Sequence, residues 1–316
     1  MAEPAPLISI PEAPVPPNGT AEWFVGARGA KLRAALFLPS GVVEGTVIVS
    51  SGRTEPIEKY FEVVRELQSR GYVVLCNEWR GQGLSQRPLT DRMKGHAQGF
   101  TDYVNDYKLM LDAFETRMPK PWIALSHSMG GCLNMMVLAS GEPRIAGAIT
   151  TAPMLEIATG MPYRVARPLA WAANLARGKS LVRVAETDPS KAPFQDNVLT
   201  HDLDRFERNR AQIIAHPELR LGGVTWGWIH SALSGIADLF KPGALDKITQ
   251  PVTLVTAGDD KVVLTRGAMA FAARLPRGRY VEIAGAYHEI LQELDDHRAI
   301  FWREFDRLTG TISQSA

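Results

Sequence analysis

Ile123-Ala124-Leu125-Ser126-His127-Ser128-Met129-Gly130-Gly131 is the stretch that decides how this chain folds. It opens as an apolar run behind Pro121 and Trp122, the pattern of a buried strand. It closes on Gly130-Gly131, and the residues from Cys132 to Ala139 favour helix. Ser128 lies between the two, with a small residue two places to either side, Ser126 and Gly130. This is the G-x-S-x-G spacing of a nucleophile elbow, with Ser126 in place of the first glycine. The sharp corner strains the serine backbone, so only small side chains fit beside it. It also lifts the hydroxyl off the end of the sheet, toward the N-terminus of the following helix.

The strand-then-helix rhythm repeats on both sides of the elbow. Residues Ala21 to Val25 and Lys31 to Leu38 flank a glycine-containing turn and predict a hairpin. Thr46 to Ser50 and Tyr72 to Cys76 are apolar on both faces, as central strands are. A helix is expected over Tyr60 to Ser69, closed by Gly71, and another over Asp102 to Phe114. Ile145 to Thr150 is a further strand. From Met154 to Phe240 the pattern changes to helical stretches at Tyr163 to Arg177, Leu203 to Ala215 and Val224 to Leu239. Strand character returns at Val252 to Ala257 and Tyr280 to Ile283, with helices over Arg266 to Leu275 and Arg298 to Leu308. The expected fold is therefore α/β: a mostly parallel eight-stranded sheet flanked by helices, with a helical cap inserted. Residues 20–153 and 242–312 form the core, 154–241 the cap, and the Pro- and Ala-rich 1–19 a disordered arm.

Composition excludes several classes of function. The 316 residues carry a formal net charge of +1, so no bulk field attracts nucleic acid. The two cysteines, Cys76 and Cys132, fall in apolar segments and predict buried thiols, with neither a disulfide framework nor a metal site. No signal-peptide pattern opens the chain and no apolar run reaches the roughly 18 residues of a membrane span, which suits a cytoplasmic protein, with peripheral membrane contact left open.

A serine hydroxyl needs a base, and the base an orienting acid, supplied from loops after later strands. The strand Val252 to Ala257 runs into Gly258-Asp259-Asp260-Lys261, and Tyr280 to Ile283 runs into Ala284-Gly285-Ala286-Tyr287-His288-Glu289. Of seven histidines only His288 follows a late core strand. His127 lies inside the elbow with its side chain directed away from the serine's aim, and the others fall in polar loops, in the helical insertion or before the last helix. Asp259 and Asp260 point in opposite directions, and the residues alone leave the choice open. An oxyanion calls for backbone N–H donors, expected from Met129 at the helix start and from Arg53 after Gly52.

Taken together, His127-Ser128-Met129-Gly130-Gly131, Glu78-Trp79-Arg80-Gly81-Gln82-Gly83-Leu84-Ser85 and Gly285-Ala286-Tyr287-His288-Glu289-Ile290-Leu291 resemble the lysophospholipase L2 and monoacylglycerol lipase branch of the α/β-hydrolases, among the S33-like serine hydrolases. Ser51-Gly52-Arg53-Thr54-Glu55 and Lys59-Tyr60 resemble the bacterial lysophospholipase L2 form of the oxyanion loop. The resemblance implies Ser128 as nucleophile, His288 as base, and Arg53 and Met129 as oxyanion donors. It favours Asp260 as the acid, because Lys261-Val262-Val263 follows it. The loop around Arg80 to Gly83 is structural in this family. The activity implied is hydrolysis of carboxylic esters of lipid-like substrates, such as monoacylglycerols or lysophospholipids, with no metal and no organic cofactor. In the cap, Trp226, Trp228 and Met154 are candidate substrate contacts. The basic, apolar segment from Arg164 to Lys179 is a candidate membrane-facing helix. A capped aminopeptidase is the rival enzyme; it would need an acidic pocket, and Glu186, Asp188, Asp202 and Asp204 form no evident cluster in the sequence. A non-catalytic ligand-binding protein is the rival of another class.

Overall fold

The computed structural model describes residues 3–180, 182 and 188–314. Nine strands form one sheet in the order β1-β2-β3-β5-β4-β6-β7-β8-β9. They are β1 (Glu3–Ala5), β2 (Gly19–Val25), β3 (Lys31–Phe37), β4 (Gly45–Ser50), β5 (Tyr72–Asn77), β6 (Trp122–His127), β7 (Ile145–Thr151), β8 (Val252–Ala257) and β9 (Gly278–Ile283). The first three pair antiparallel, as does β3 with β5, while β4 to β9 run parallel. Parallel strands need crossovers, and α1 (Phe61–Ser69), α2 (Phe100–Phe114), α3 (Met129–Ala139), α7 (Thr265–Ala272) and α8 (Asp295–Ser313) supply them or close the chain.

Central strands are apolar on both faces because helices cover both. Val47 and Val49 of β4 face Phe61, Val64, Phe301 and Phe305 of α1 and α8. Ile48, between them, joins Tyr107, Leu133 and Phe271 of α2, α3 and α7. This two-sided burial holds the carboxyl ends of β4, β6, β8 and β9 at one edge, where their loops converge.

The sheet has one strand more than the eight expected, because the N-terminal segment is not a disordered arm. Strand β1 pairs with Ala21 to Trp23 of β2. Beyond it, Pro6 accepts from Arg33 Nη1 at 2.9 Å and the Ile8 N–H donates to Glu58 Oε1 at 3.1 Å. Ile10 and Ala13 are buried. The physical reason is the fully buried guanidinium of Arg33, which recruits the arm's backbone to complete its hydrogen bonds.

Between β7 and β8 the described residues carry α4 (Tyr163–Arg177), α5 (Leu203–Ala215) and α6 (Trp226–Leu239) and no named strand. Helix α5 is capped by the Asp202 side chain, which accepts from Arg205 N, and α6 by Thr225, which accepts from Trp228 N. Helix α4 rests on α6 through the small residues Ala166 and Ala170 against Leu233. Its Val165, Leu169, Trp171 and Leu175 are half or more exposed. No described helix is long and apolar enough to cross a membrane.

Candidate active site

Strand β6 ends at His127 and α3 begins at Met129, which leaves Ser128 at the corner with φ 51° and ψ −115°. A non-glycine residue in such a region costs about 1–3 kcal/mol and persists only where its surroundings over-determine it. Here the Ser128 N–H donates to Thr151 O at 3.0 Å, and its carbonyl accepts from Met154 N at 2.9 Å. The packing is close. A Cβ on Gly130 would lie 2.5 Å from Ser51 O, and one on Gly131 2.4 Å from Thr150 Oγ1. Ser126 fits where glycine is usual, fully buried, with its Oγ lacking a hydrogen-bond partner.

The loops after β8 and β9 meet at this corner. His288 Nε2 lies 3.0 Å from Ser128 Oγ, and His288 Nδ1 lies 2.7 Å from Asp260 Oδ2. The other Asp260 oxygen accepts from the N–H groups of Val262 and Val263 at 2.7 and 2.9 Å. Burial pushes the Asp260 carboxyl up, but the His288 hydrogen bond and charge and these two amides outweigh it and hold it below the usual range. Asp259 is exposed and stays out of this chain of contacts. Chemically the arrangement can transfer the Ser128 proton to an imidazole whose tautomer the aspartate fixes.

The loop after β4 is clamped from several sides. Trp79 Nε1 donates to Ser51 O at 2.8 Å, Gln82 Nε2 to Gly52 O at 3.0 Å, and Thr54 N to Gln82 Oε1 at 2.7 Å. The Gly52 N–H donates to Glu55. Between these ties stands Arg53, whose N–H is the candidate donor opposite that of Met129. Its guanidinium crosses to the insertion, donating to Gly222 O and lying 5.6 Å from the Trp228 ring centre. No carboxylate pairs with it among the described residues, and burial lowers its pKa to about 10.

Behind His288 a further set of buried polar side chains stands in contact. The His127 ring centre is 4.8 Å from that of His288, its Nδ1 is 3.0 Å from Thr151 Oγ1, and its Nε2 is 3.9 Å from Glu55 Oε1. Burial lowers its pKa to about 4, so it is neutral at pH 7. Glu55 accepts from Tyr60 Oη at 2.6 Å and from Lys59 Nζ at 2.8 Å, and Lys59 also donates to Glu289 at 2.6 Å. Burial raises Glu55, but Lys59 and His127 overcome it and hold its carboxyl at about 2. For Lys59, burial works against the charge and the two carboxylates outweigh it, so its pKa is raised. Sequence reading set His127 aside and gave Lys59 and Tyr60 no role. Glu55, Lys59 and Tyr60 are close in the chain and were read only as part of the oxyanion-loop resemblance, while His127 and Glu289 reach them from distant segments.

The three expected substrate contacts lie apart from the large cavity. That cavity, about 1350 Å³, lies among the segment 155–162, α4, α6 and the start of α7, lined by Leu155, Ile157, Met161, Trp171, Ile236 and Phe240. Met154 is buried in the core, held by its N–H bond to Ser128 O. Trp228 turns inward onto Phe100, ring centres 6.2 Å apart, and borders a small gap beside Arg53 and Met129. Trp226 is half-buried and lines neither space. The 3.6-residue period of α6 points Trp228 at the core, while His230, Ser234 and Ala237, farther round the helix, meet the cavity.

A serine on a strained strand-to-helix corner, in hydrogen-bond contact with a histidine from a later strand end, on a mostly parallel sheet with a helical insertion, defines the α/β-hydrolase class. The profile of the family described as serine aminopeptidase, S33, matches residues 41–295. The chain belongs to that family, in its lysophospholipase L2 and monoglyceride lipase branch. It is 38% identical over 269 residues to lysophospholipase L2 of Escherichia coli strain K12, spanning 80% of this chain and 77% of that protein. Human monoglyceride lipase is 23% identical over 279 residues, 86% of this chain and 84% of that protein. Among solved structures, a soluble variant of monoglyceride lipase from Saccharomyces cerevisiae in complex with a substrate analog superposes with a TM-score of 0.74, covering 98% of this chain and 99% of that one at 19% identity. The chain is a carboxylic ester hydrolase.

Proposed function

We propose that the protein cleaves carboxylic esters of lipids, lysophospholipids before monoacylglycerols, through an acyl-enzyme on Ser128. The observation that carries this is the unbroken contact from Ser128 Oγ to His288 to Asp260. Ser128 Oγ attacks the ester carbonyl while its proton passes to His288 Nε2. The oxyanion is received by the N–H groups of Arg53 and Met129. As the C–O bond breaks, His288 returns the proton to the leaving alcohol. Water, deprotonated by His288, then attacks the acyl-enzyme, and Ser128 is released with its proton restored. The apolar cavity takes the acyl chain: its wall begins at Leu155, one residue beyond the amide that bonds the Ser128 carbonyl.

Lysophospholipid is preferred for two reasons: the identity with lysophospholipase L2, and the Arg53 guanidinium, a cation with no carboxylate partner among the described residues, which can meet a phosphodiester. An aminopeptidase reading needs free acids to hold a substrate amine. Asp202 is engaged with Arg205 and Asp188 with Ser190, Asp204 is exposed in the first turn of α5, and Glu186 lies outside the described residues. We also propose that α4, with exposed Val165, Leu169, Trp171 and Leu175 beside Arg164 and Arg167, rests on anionic lipid during turnover. Sedimentation with phosphatidylglycerol vesicles, lost on Trp171→Glu, tests the contact.

The test of activity is a panel of lysophospholipids, monoacylglycerols and aminoacyl amides, with Ser128→Ala as control. Lysophospholipid turnover should exceed the others, and Ser128→Ala should lose about 10⁶-fold in kcat. Cleavage confined to aminoacyl amides would overturn the ester reading, and turnover that survives in Ser128→Ala would overturn the mechanism.

A further inference from the structure

We propose that His201, Glu293 and His297 form a binding site for one divalent transition-metal ion of the zinc class, which ties the cap to the loop carrying His288. The three ligand atoms lie within 4.8 Å of one another. His201 Nδ1 is 2.7 Å from Glu293 Oε1, and His297 Nδ1 is 3.4 Å from Glu293 Oε2. Metal–ligand bonds of about 2.0–2.1 Å place neighbouring tetrahedral ligands about 3.3 Å apart. The His297 distance already fits that spacing, and His201, on the exposed side, has room to withdraw by the difference. Two imidazoles and one carboxylate suit zinc, cobalt or nickel better than calcium or magnesium, and leave a position for water.

A second observation separates this cluster from an ordinary hydrogen-bonded pair. His297 Nδ1 is buried without a hydrogen-bond partner, directed at a carboxylate it approaches but does not bond. A metal between them would satisfy both. Glu293 is held as metal carboxylates are held, by surrounding N–H donors. Its Oε1 accepts from Tyr287 N at 2.7 Å, and its Oε2 from Leu294 N at 2.9 Å and His201 N at 3.3 Å. The nearby guanidinium of Arg205 is neutralised by Glu62, Asp202 and Asp295.

The position gives the ion its consequence. His201 belongs to the insertion, just ahead of α5, while Glu293 lies in the loop just before α8 and His297 in its first turn. The His201 ring stacks on Tyr287 with centres 3.7 Å apart, and Tyr287 precedes His288. The same segments are already joined by Glu289 N to Leu199 O at 2.7 Å and by Thr200 Oγ1 to Gln292 O at 2.6 Å. A bound ion would lock this seam and hold that side of the cap closed. The inference departs from the sequence-based expectation of a metal-free chain, and it does not depend on the substrate proposed above.

The experiment uses the untagged full chain, stripped with chelator and titrated with Zn²⁺ by calorimetry and with Co²⁺ by its visible d–d bands. One equivalent should bind, with a rise in melting temperature on the order of 4 °C at saturating Zn²⁺. His297→Gln and His201→Gln should each weaken binding by at least about tenfold. Both should keep the metal-free wild-type melting profile, which shows that they fold. Absence of stoichiometric binding by the wild type, or binding that both variants retain, would overturn the proposal.

Discussion

Two buried cations in this protein each stand between two carboxylates, and they differ in what they join. Arg33 lies between Glu58 and Glu78, all three side chains without solvent exposure. Lys59 lies between Glu55 and Glu289, nearly as deep. The guanidinium uses its whole fork: Nε and Nη2 reach Glu78, Nη1 and Nη2 reach Glu58, and Nη1 also reaches Pro6 O. Glu78 in turn accepts from the Leu84 and Ser85 amides. This cluster fastens the N-terminal segment and the 78–85 loop to β3, and none of its members touches Ser128, His288 or Asp260. The ammonium of Lys59 is a point charge, and its two carboxylates lead to Gly52 on one side and to the residue after His288 on the other. Like charge and similar burial thus serve a staple in one place and, in the other, link the loops that flank Ser128 and His288. What distinguishes them is the loops they connect.

The largest expected effect comes from breaking the staple. Arg33→Met leaves Glu58 and Glu78 buried with no cation, and stranding the partners of a buried pair costs about 3–5 kcal/mol, with the upper end expected for two carboxylates. Urea denaturation should show that loss, while kcat of the folded fraction at low temperature stays at the wild-type value. A kcat that falls together with stability would erase the distinction between the two clusters. Lys59→Met should cost less stability, about 3 kcal/mol, because Glu55 keeps hydrogen bonds from Tyr60 and Gly52. It should also lower kcat by about tenfold at unchanged KM, the loss of about 1.4 kcal/mol of transition-state stabilisation. Steady-state kinetics on a soluble ester separates the two variants.

Acid sharpens the comparison further. His127, beside Glu55, has its folded pKa lowered to about 4 from an ordinary 6.5. As pH falls below 6.5 the unfolded chain takes up this proton before the folded one does. The contribution is therefore complete above about pH 6.5 and is lost progressively toward pH 4, a total of about 3 kcal/mol. Glu58 and Glu289, raised by burial, work in the opposite direction over part of that range. The difference between wild type and His127→Gln, followed by chemical denaturation from pH 7.5 to pH 4.5, isolates the histidine. If the two lose stability in parallel, His127 is not held neutral by its surroundings.

The fold was legible in the sequence because its signals are local. Two-faced apolar runs at Thr46 to Ser50 and Val252 to Ala257 and the loss of strand character after Pro153 are read from neighbouring residues, and the order of strands and helices follows from them. The missing ninth strand was not local: Glu3–Ala5 is too short and too proline-rich to announce itself, and it is ordered by β2 and by Arg33, far along the chain. The candidate site divides in the same way. Ser128 and His288 could be named from their places after successive strands, and Asp260 over Asp259 only from the family resemblance; the structure puts the three within hydrogen-bond distance. The Lys59 cluster could not, since Glu55 and Glu289 meet only after the sheet has formed. Trp228 and Met154 lie away from the large cavity, because the spacing of apolar residues gives a face and not its direction.

The smallest effect concerns the clamp that the oxyanion loop shares with neither cluster. Gln82 holds both ends of the peptide stretch around Arg53, donating to Gly52 O and accepting from Thr54 N, and Thr54 is itself in a left-handed conformation with φ 67°. We expect that, without this tie, the conformation would relax and redirect the Arg53 N–H, the donor proposed opposite Met129. Gln82→Ala removes two hydrogen bonds of about 1 kcal/mol each, so stability should fall by about 1–2 kcal/mol. A misdirected oxyanion donor should cost more in rate than in folding, up to about tenfold in kcat with KM little changed. Thermal melts and ester kinetics on the same preparation measure both. If kcat is retained, the Glu55 bond to Gly52 N–H is enough to shape the loop, and the Lys59 cluster alone carries the positioning here assigned to both.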